Sequence, residues 1–235
     1  MLIKSPLASS WSGSVAGLVG SHNAGGLYLR ARTIPVNPNT TPQQNARSSL
    51  SGIVGNWGAL TDAQRQAWRV YSLNVPLVGP LGDPRNVGGI GMYVRSNVPR
   101  LTASLSDVTP TNLSRIDAAP TTFDMGSFTP ASMSIASSIF NIAFDNTDAW
   151  ANEDEAAMLI QFGRPVNPSR LFYKAPFRYG LTSIIAGDDS TPPTSPFTGV
   201  PAFAAVVGQR QYARLTVVRA DVRVSASQIV SAVAT

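Results

Sequence analysis

No cysteine occurs among the 235 residues, which excludes disulfides, thiolate nucleophiles and cysteine-ligated metals. Histidine is nearly absent too, with His22 alone in a glycine-rich stretch, so neither a metal site nor a Ser–His–Asp site finds its usual donors. Charged residues make up 13% of the chain, about half the usual ~25%. Lysine is scarce: of 18 basic residues only Lys4 and Lys174 are lysine. No run of about 18 apolar residues exists, so no membrane-spanning helix is expected. The start of the chain lacks the zones of a secretory signal, which fits synthesis in the cytoplasm.

What the chain has is glycine (19), proline (18) and a hydrophobic share of 43%. That balance describes a loop-rich, β-rich protein with a polar but weakly ionic surface, easier to understand when partners cover part of it. The charge is divided unevenly. Residues 1–100 carry nine cations against Asp62 and Asp83, the remainder nine cations against eleven acids. Arginine preference favours fixed, multidentate contacts. Because these arginines are scattered singly, contact with protein is the stronger reading and nucleic acid the weaker one.

Residues 11–48 combine features that conflict. Gly13, Gly17, Gly20, Gly25 and Gly26 make the backbone costly to order, and Pro35, Pro38 and Pro42 forbid a continuous helix. Yet Trp11, Val15, Leu18, Val19, Leu27, Tyr28, Leu29, Ile34 and Val36 need burial. A segment too poor in local structure to fold alone and too apolar to stay solvated orders against a neighbouring chain. Trp11, Leu27, Tyr28, Arg30, Arg32, Ile34 and Arg47, with Trp57 and Trp68 of the segment that follows, are therefore the candidate assembly-interface residues.

Helical signals come next. Thr41 can cap and Pro42 suits a first helical position; Ala46, Leu50, Ile53 and Trp57 then recur at helical spacing. After Gly58, Thr61 and Gln64 form a capping-box pattern ahead of Ala63, Ala67, Trp68 and Tyr71. Residues 42–57 and 62–73 are expected to form a helical hairpin that packs on the following segment or on another subunit. Residues 74–120 read as connecting structure, in which 87–95 fits a short helix and a strand equally well.

Strand patterning begins near Thr121. Met133 and Ile135 alternate with polar residues, and Phe140, Ile142 and Phe144 do so in the opposite register, suggesting a bend or bulge near Ser137. Residues 156–162, 178–185, 212–219 and 222–225 read as further strands, and 187–201 as a long loop. The expected fold class is α+β, mainly β. An extended arm (1–41) and a helical hairpin (42–73) precede a connecting segment (74–120) and an antiparallel β-sandwich (121–235).

Asn152-Glu-Asp-Glu155 with Asp145 and Asp148 lacks the EF-hand spacing and reads as an exposed acidic loop. Gly88-Gly-Ile-Gly91 lacks the Walker lysine and reads as a turn. Glu153 and Glu155 alternate along the chain without the context of a glycosidase pair. No enzyme, cofactor or metal site is expected. Trp150, Tyr173, Phe177 and Tyr179 could stack on sugars, but core packing of strand aromatics is the stronger reading.

Three segments, Ser12-Gly-Ser-Val-Ala-Gly, Arg32-Thr-Ile-Pro-Val-Asn-Pro-Asn-Thr40 and Trp57-Gly-Ala-Leu-Thr-Asp-Ala-Gln-Arg-Gln-Ala-Trp68, resemble a pattern in structural proteins of tailed phages and prophages. Asp83-Pro-Arg-Asn-Val-Gly-Gly-Ile-Gly-Met-Tyr-Val-Arg-Ser-Asn97 extends it. Tyr212-Ala-Arg-Leu-Thr-Val-Val-Arg-Ala-Asp-Val-Arg-Val-Ser225 is similar to the last strands of fibronectin type III-like modules, with Val222 where such hairpins often carry glycine. The resemblance implies a virion component without saying which; the expected role is a capsid cement or decoration protein. Its partners would be the major capsid protein or other virion subunits, and it would form a homo-oligomer, a trimer being one arrangement. Neither a membrane nor nucleic acid is an expected partner. A tail or head-to-tail connector component and a carbohydrate-binding module are the alternatives.

Overall fold

The computed structural model describes residues 12–23, 26–34, 36–78, 83–104, 113–136 and 139–235. The chain divides into two units, residues 1–44 and 45–235.

In the first unit the extended arm is organised as a small antiparallel sheet. Strands β1 (Gly13–Val15), β2 (Leu18–Asn23) and β3 (Gly26–Ala31) pair in sequence order. Ala16 turns the chain between β1 and β2 with φ 51°. Beyond β3, the Arg32 backbone N–H donates to Gly17 O at 2.8 Å.

The second unit starts within helix α1 (Thr41–Asn56) and continues into α2 (Asp62–Asn74). The Thr61 capping box forms: its Oγ1 accepts from the Gln64 N–H, and Gln64 Oε1 accepts from the Thr61 N–H. Two short strands, β4 (Leu77–Val78) and β5 (Pro84–Arg85), pair with each other, and α3 (Gly88–Ser104) follows. Residues 88–95, undecided between helix and strand, thus belong to a helix that runs to Ser104 and absorbs Pro99, with Val87 just before it. Trp68, Tyr71, Ile53, Met92 and Tyr93 are the centre of a helical core, with Trp68 edge-on to both Tyr71 and Tyr93 at 5.8 and 5.3 Å. Only the C-terminal half of α1 joins it, since Ala46 and Leu50 are exposed.

Residues 113–119, expected as linker, are fastened to this core by buried polar groups. Trp68 Nε1 donates to Asp117 O at 2.9 Å, and the Tyr93 hydroxyl donates to Asp117 Oδ1 at 2.9 Å. Leu113, Ile116 and Ala119 add apolar anchors to these bonds, so the segment is held by both side chains and backbone without regular secondary structure.

Two antiparallel sheets enclose the main core. One holds β6 (Ser132–Ala136), β7 (Ile139–Ala143) and, beyond β8 (Ala157–Gly163) and β9 (Phe177–Ala186), β10 (Phe197–Gly199), in the order β10-β7-β6. The other adds β11 (Arg210–Val218) and β12 (Gln228–Val233), in the order β12-β11-β8-β9. The two sheets meet through Phe140 and Phe162, edge to face at 5.3 Å, amid Ile135, Ile142, Met158, Ile160 and Leu215. This is the mainly-β α+β class read from the sequence.

Three strand assignments are corrected. Ala136 pairs with Ile139, so the change of register belongs to a tight hairpin and not to a bent strand. Met133 then faces Ile142 and Ile135 faces Phe140, which places odd and even residues on one face. The long loop 187–201 contains β10. Residues 222–225 form no strand of their own: after the turn at Ala220-Asp221 they meet the end of β11 at the Val218–Val224 bridge and through Ser225, whose Oγ accepts from the Val217 N–H at 2.9 Å, while the strands flanking β11 are β8 and β12. Val222 turns with φ 64° and is wholly buried in the helical core, so an apolar anchor stands where such hairpins often carry glycine.

Candidate interaction surfaces

The register of the N-terminal sheet sorts its side chains by face. Val15, Leu18 and Ala31 line up across the three strands, and the next row on that face is Gly13, Gly20 and Leu29. Ser14, Val19 and Arg30 form a row on the opposite face, with Ser21 and Tyr28 beside it. One face is thus mainly apolar and the other mixed. Val15 is 62% exposed and Leu18 48%, so the apolar face is open. Ile34 and Val36 beyond β3 are exposed as well.

The nine interface candidates fall in different places. Trp11 lies outside the described residues. Leu27 sits in β3 opposite His22, its side chain outside the description. Tyr28 is half-buried, and Arg30, Arg32, Ile34 and Arg47 are exposed. Trp57 is half-buried with its ring 5.6 Å from Tyr93. Trp68 is fully buried within the chain, so its expected place at an interface is corrected to the core. Its helical position pointed to burial, and the neighbouring segment 113–119 supplied the cover.

Arg100 was not singled out in the sequence, yet it binds the helical and β layers together. Its guanidinium is 3% exposed and donates to Ser114 O at 2.8 Å, Ala220 O at 3.1 Å and Glu155 O at 3.3 Å, and pairs with the Glu155 carboxylate. Glu153 is likewise paired with Arg219. Both glutamates of the acidic loop are therefore spent on ion pairs, and Asp148 accepts from Thr129. Asp145 and Asp188 have carboxyls held below the usual range by hydrogen bonds from Thr147 and from Ser190 and Thr191. The acidic groups that converge are Asp154, Asp188 and Asp189, whose oxygens lie within 4.8 Å of one another.

The four aromatics weighed as a sugar platform do not form one. Trp150 is wholly buried against Phe144, and Tyr173 is 7% exposed, stacked on Tyr212 at 5.5 Å. Phe177 lies beneath the Arg214 guanidinium at 4.8 Å, and only Tyr179 is exposed.

The ends of β8 differ in charge. At its start are Asp154, Asp188 and Asp189; after its end the loop to β9 carries Arg164, Arg170 and Lys174, and Arg178 follows in β9. Residues 156–187 contain no acid.

No helix among the described residues is long and apolar enough to cross a membrane. No family model matches the chain, and no curated protein matches it. Among solved structures, a β-1,2-glucanase from Parabacteroides distasonis aligns at TM-score 0.24 and 14% identity, over 54% of this chain and 16% of that one. A likeness at that level carries no argument.

Proposed function

We propose that this protein is a structural, non-catalytic component of a tailed-phage particle, a capsid cement or decoration protein whose N-terminal unit ties neighbouring shell subunits together. The observation that carries the reading is the open apolar face of the N-terminal sheet. Three strands of three to six residues, with Val15 and Leu18 exposed, are too small to be stable without cover. A neighbouring subunit, in the first instance the major capsid protein, supplies it. The two-sheet β body with its helical layer is the part that stands by itself. Attachment then comes from many modest contacts, multiplied by repetition over the shell.

Purified particles analysed for copy number test the reading. Hundreds of copies support a cement role. A few dozen or fewer assign the protein to the tail or the head-to-tail connector, and absence from particles overturns both. Val15→Ser with Leu18→Ser should abolish attachment while the body stays folded.

A further inference from the structure

The loop 164–176 projects an apolar tip set among cations. Leu171 is 82% exposed and Phe172 70%. Arg170 and Lys174 flank them, and among the described residues none of Arg164, Arg170, Lys174 or Arg178 forms an ion pair. The loop is held rigidly in place. The Tyr173 ring lies on Gly163, where a Cβ would come within 2.6 Å of it. Its hydroxyl accepts from the Arg164 N–H at 3.0 Å and donates to Pro176 O at 2.8 Å. Arg210 donates to Pro168 O at 3.0 Å, and the Tyr212 hydroxyl donates to Arg170 O. A tip fixed in this way loses little conformational freedom on docking.

The other end of the same strand pair carries the complement. Asp154 and Asp188 rim a cavity of about 620 Å³ whose walls include Ile184, Ile185, Pro193 and Phe197. Asp189, beside the rim, adds a third carboxylate. An acid-rimmed cavity with partly apolar walls complements an apolar tip with a basic rim, above all in charge. The tip cannot fill the cavity of its own chain: β8 is seven residues long, which separates the ends by about 20 Å.

We infer that the 164–176 loop of one copy docks into the acid-rimmed cavity of a second copy, head to tail. Leu171 and Phe172 enter the apolar walls, and Arg170 and Lys174 meet Asp154, Asp188 and Asp189 of the next chain. Such a contact uses two different surfaces on each chain, so it propagates into a ring or a row and does not stop at a symmetric pair. Nucleic acid fits the same loop less well. Arg164 and Arg178 both stack on Phe203, at 5.4 and 5.5 Å, Arg214 covers Phe177 and Arg170 lies over Tyr173. Those ring faces are taken, and the Phe172 ring itself carries the Arg170 guanidinium at 5.3 Å. The inference rests on the body alone and does not need the N-terminal sheet.

Sedimentation of the full chain over a wide concentration range at low salt tests it, with two variants at exposed positions. Leu171→Ser with Phe172→Ser removes the tip, and Asp189→Arg opposes the incoming cations. Each should weaken self-association by about tenfold or more. An equimolar mixture should form a one-to-one dimer that grows no further, because only one intact tip and one intact cavity remain. The inference is overturned if the wild-type chain stays monomeric throughout, if the variants associate as well as wild type, or if the mixture fails to pair. Binding of single-stranded DNA lost with the tip, without self-association, also overturns it. Val15→Ser with Leu18→Ser should leave this association unchanged, which separates its outcome from that of particle attachment.

Discussion

Asn97 in α3 treats Ile116 as a strand would treat its neighbour. Its Oδ1 accepts from the Ile116 N–H at 2.8 Å, and its Nδ2 donates to Ile116 O at 3.1 Å. Asn97 is 0% exposed. One side chain thus satisfies both backbone groups of a residue in the irregular segment 113–119, and so fixes that segment on the helical core.

Replacing Asn97 by leucine keeps the volume roughly and removes both bonds. Two backbone groups are then orphaned where water has poor access, at about 1–3 kcal/mol each. Denaturant unfolding of Asn97→Leu should show a loss of about 2–5 kcal/mol, with Asn97→Asp, which keeps the acceptor, in between. A variant as stable as wild type would mean that segment 113–119 is held by something else.

Trp68 offers a contrast with its neighbour. It is wholly buried, whereas Arg69 is exposed, its stem lying beside Gly89 and its guanidinium donating to Gln66 Oε1. Trp68→Ala should cost about 3–5 kcal/mol, and Arg69→Ala about 0.5 kcal/mol or less. Because Trp68 has no exposed surface, any loss of particle attachment should follow the loss of folding. Failure of attachment in a variant that remains fully folded would restore Trp68 to the interface.

The N-terminal sheet should exchange its amide hydrogens fast in the isolated chain and slowly once assembled. Its strands are short and its apolar face is open, so local opening is cheap. Hydrogen exchange followed by mass spectrometry should find residues 12–40 unprotected and the strands of the body protected. Strong protection of the sheet in an isolated monomer contradicts an assembly role for that face.

Val222 reverses the usual ranking of substitutions. Its left-handed φ of 64° disfavours any residue with a Cβ, by roughly 1–2 kcal/mol. Val222→Ala keeps that cost and loses about 1.6 kcal/mol of methyl burial. Val222→Gly loses slightly more burial but is freed from the backbone cost, so it should be no less stable than alanine. Thermal melts of the two variants decide the order; a clearly weaker glycine variant would show that the turn carries no strain.

Alkaline pH should loosen the helical layer. Burial raises the Tyr93 phenol above its ordinary value, with Asp117 adding to the shift, and burial raises Tyr71 in the same direction. The folded state therefore holds these protons more tightly than the unfolded chain. Their contribution is complete below about pH 10 and is lost as pH rises through the higher folded values. Melting temperature against pH should fall in that range, and more gently for Tyr93→Phe. An identical slope in the variant would remove Tyr93 from the account.

Local rules alone determined a good part of this protein. The Thr61–Gln64 capping box and the helices around it follow from residues three and four apart, where neighbours in sequence are neighbours in space. The inward rows at Met133 and Ile135, Phe140 and Ile142, and Leu215 and Val217 follow from the alternation of strand side chains. Low charge, absent cysteine and a glycine-rich start were equally plain in the composition. What the sequence left open depends on contacts between distant residues. Whether 133–142 is a bent strand or a hairpin is decided by the pairing of Ala136 with Ile139, since both readings share one alternation pattern. The extent of α3, the docking of 113–119 and the burial of Arg100 were decided by partners up to 120 residues away. Polar groups satisfied by remote backbone leave no periodic trace in a sequence. The two surfaces that suggest assembly, the open face of the N-terminal sheet and the oppositely charged ends of β8, likewise exist only once strand register has sorted the side chains by face and by end.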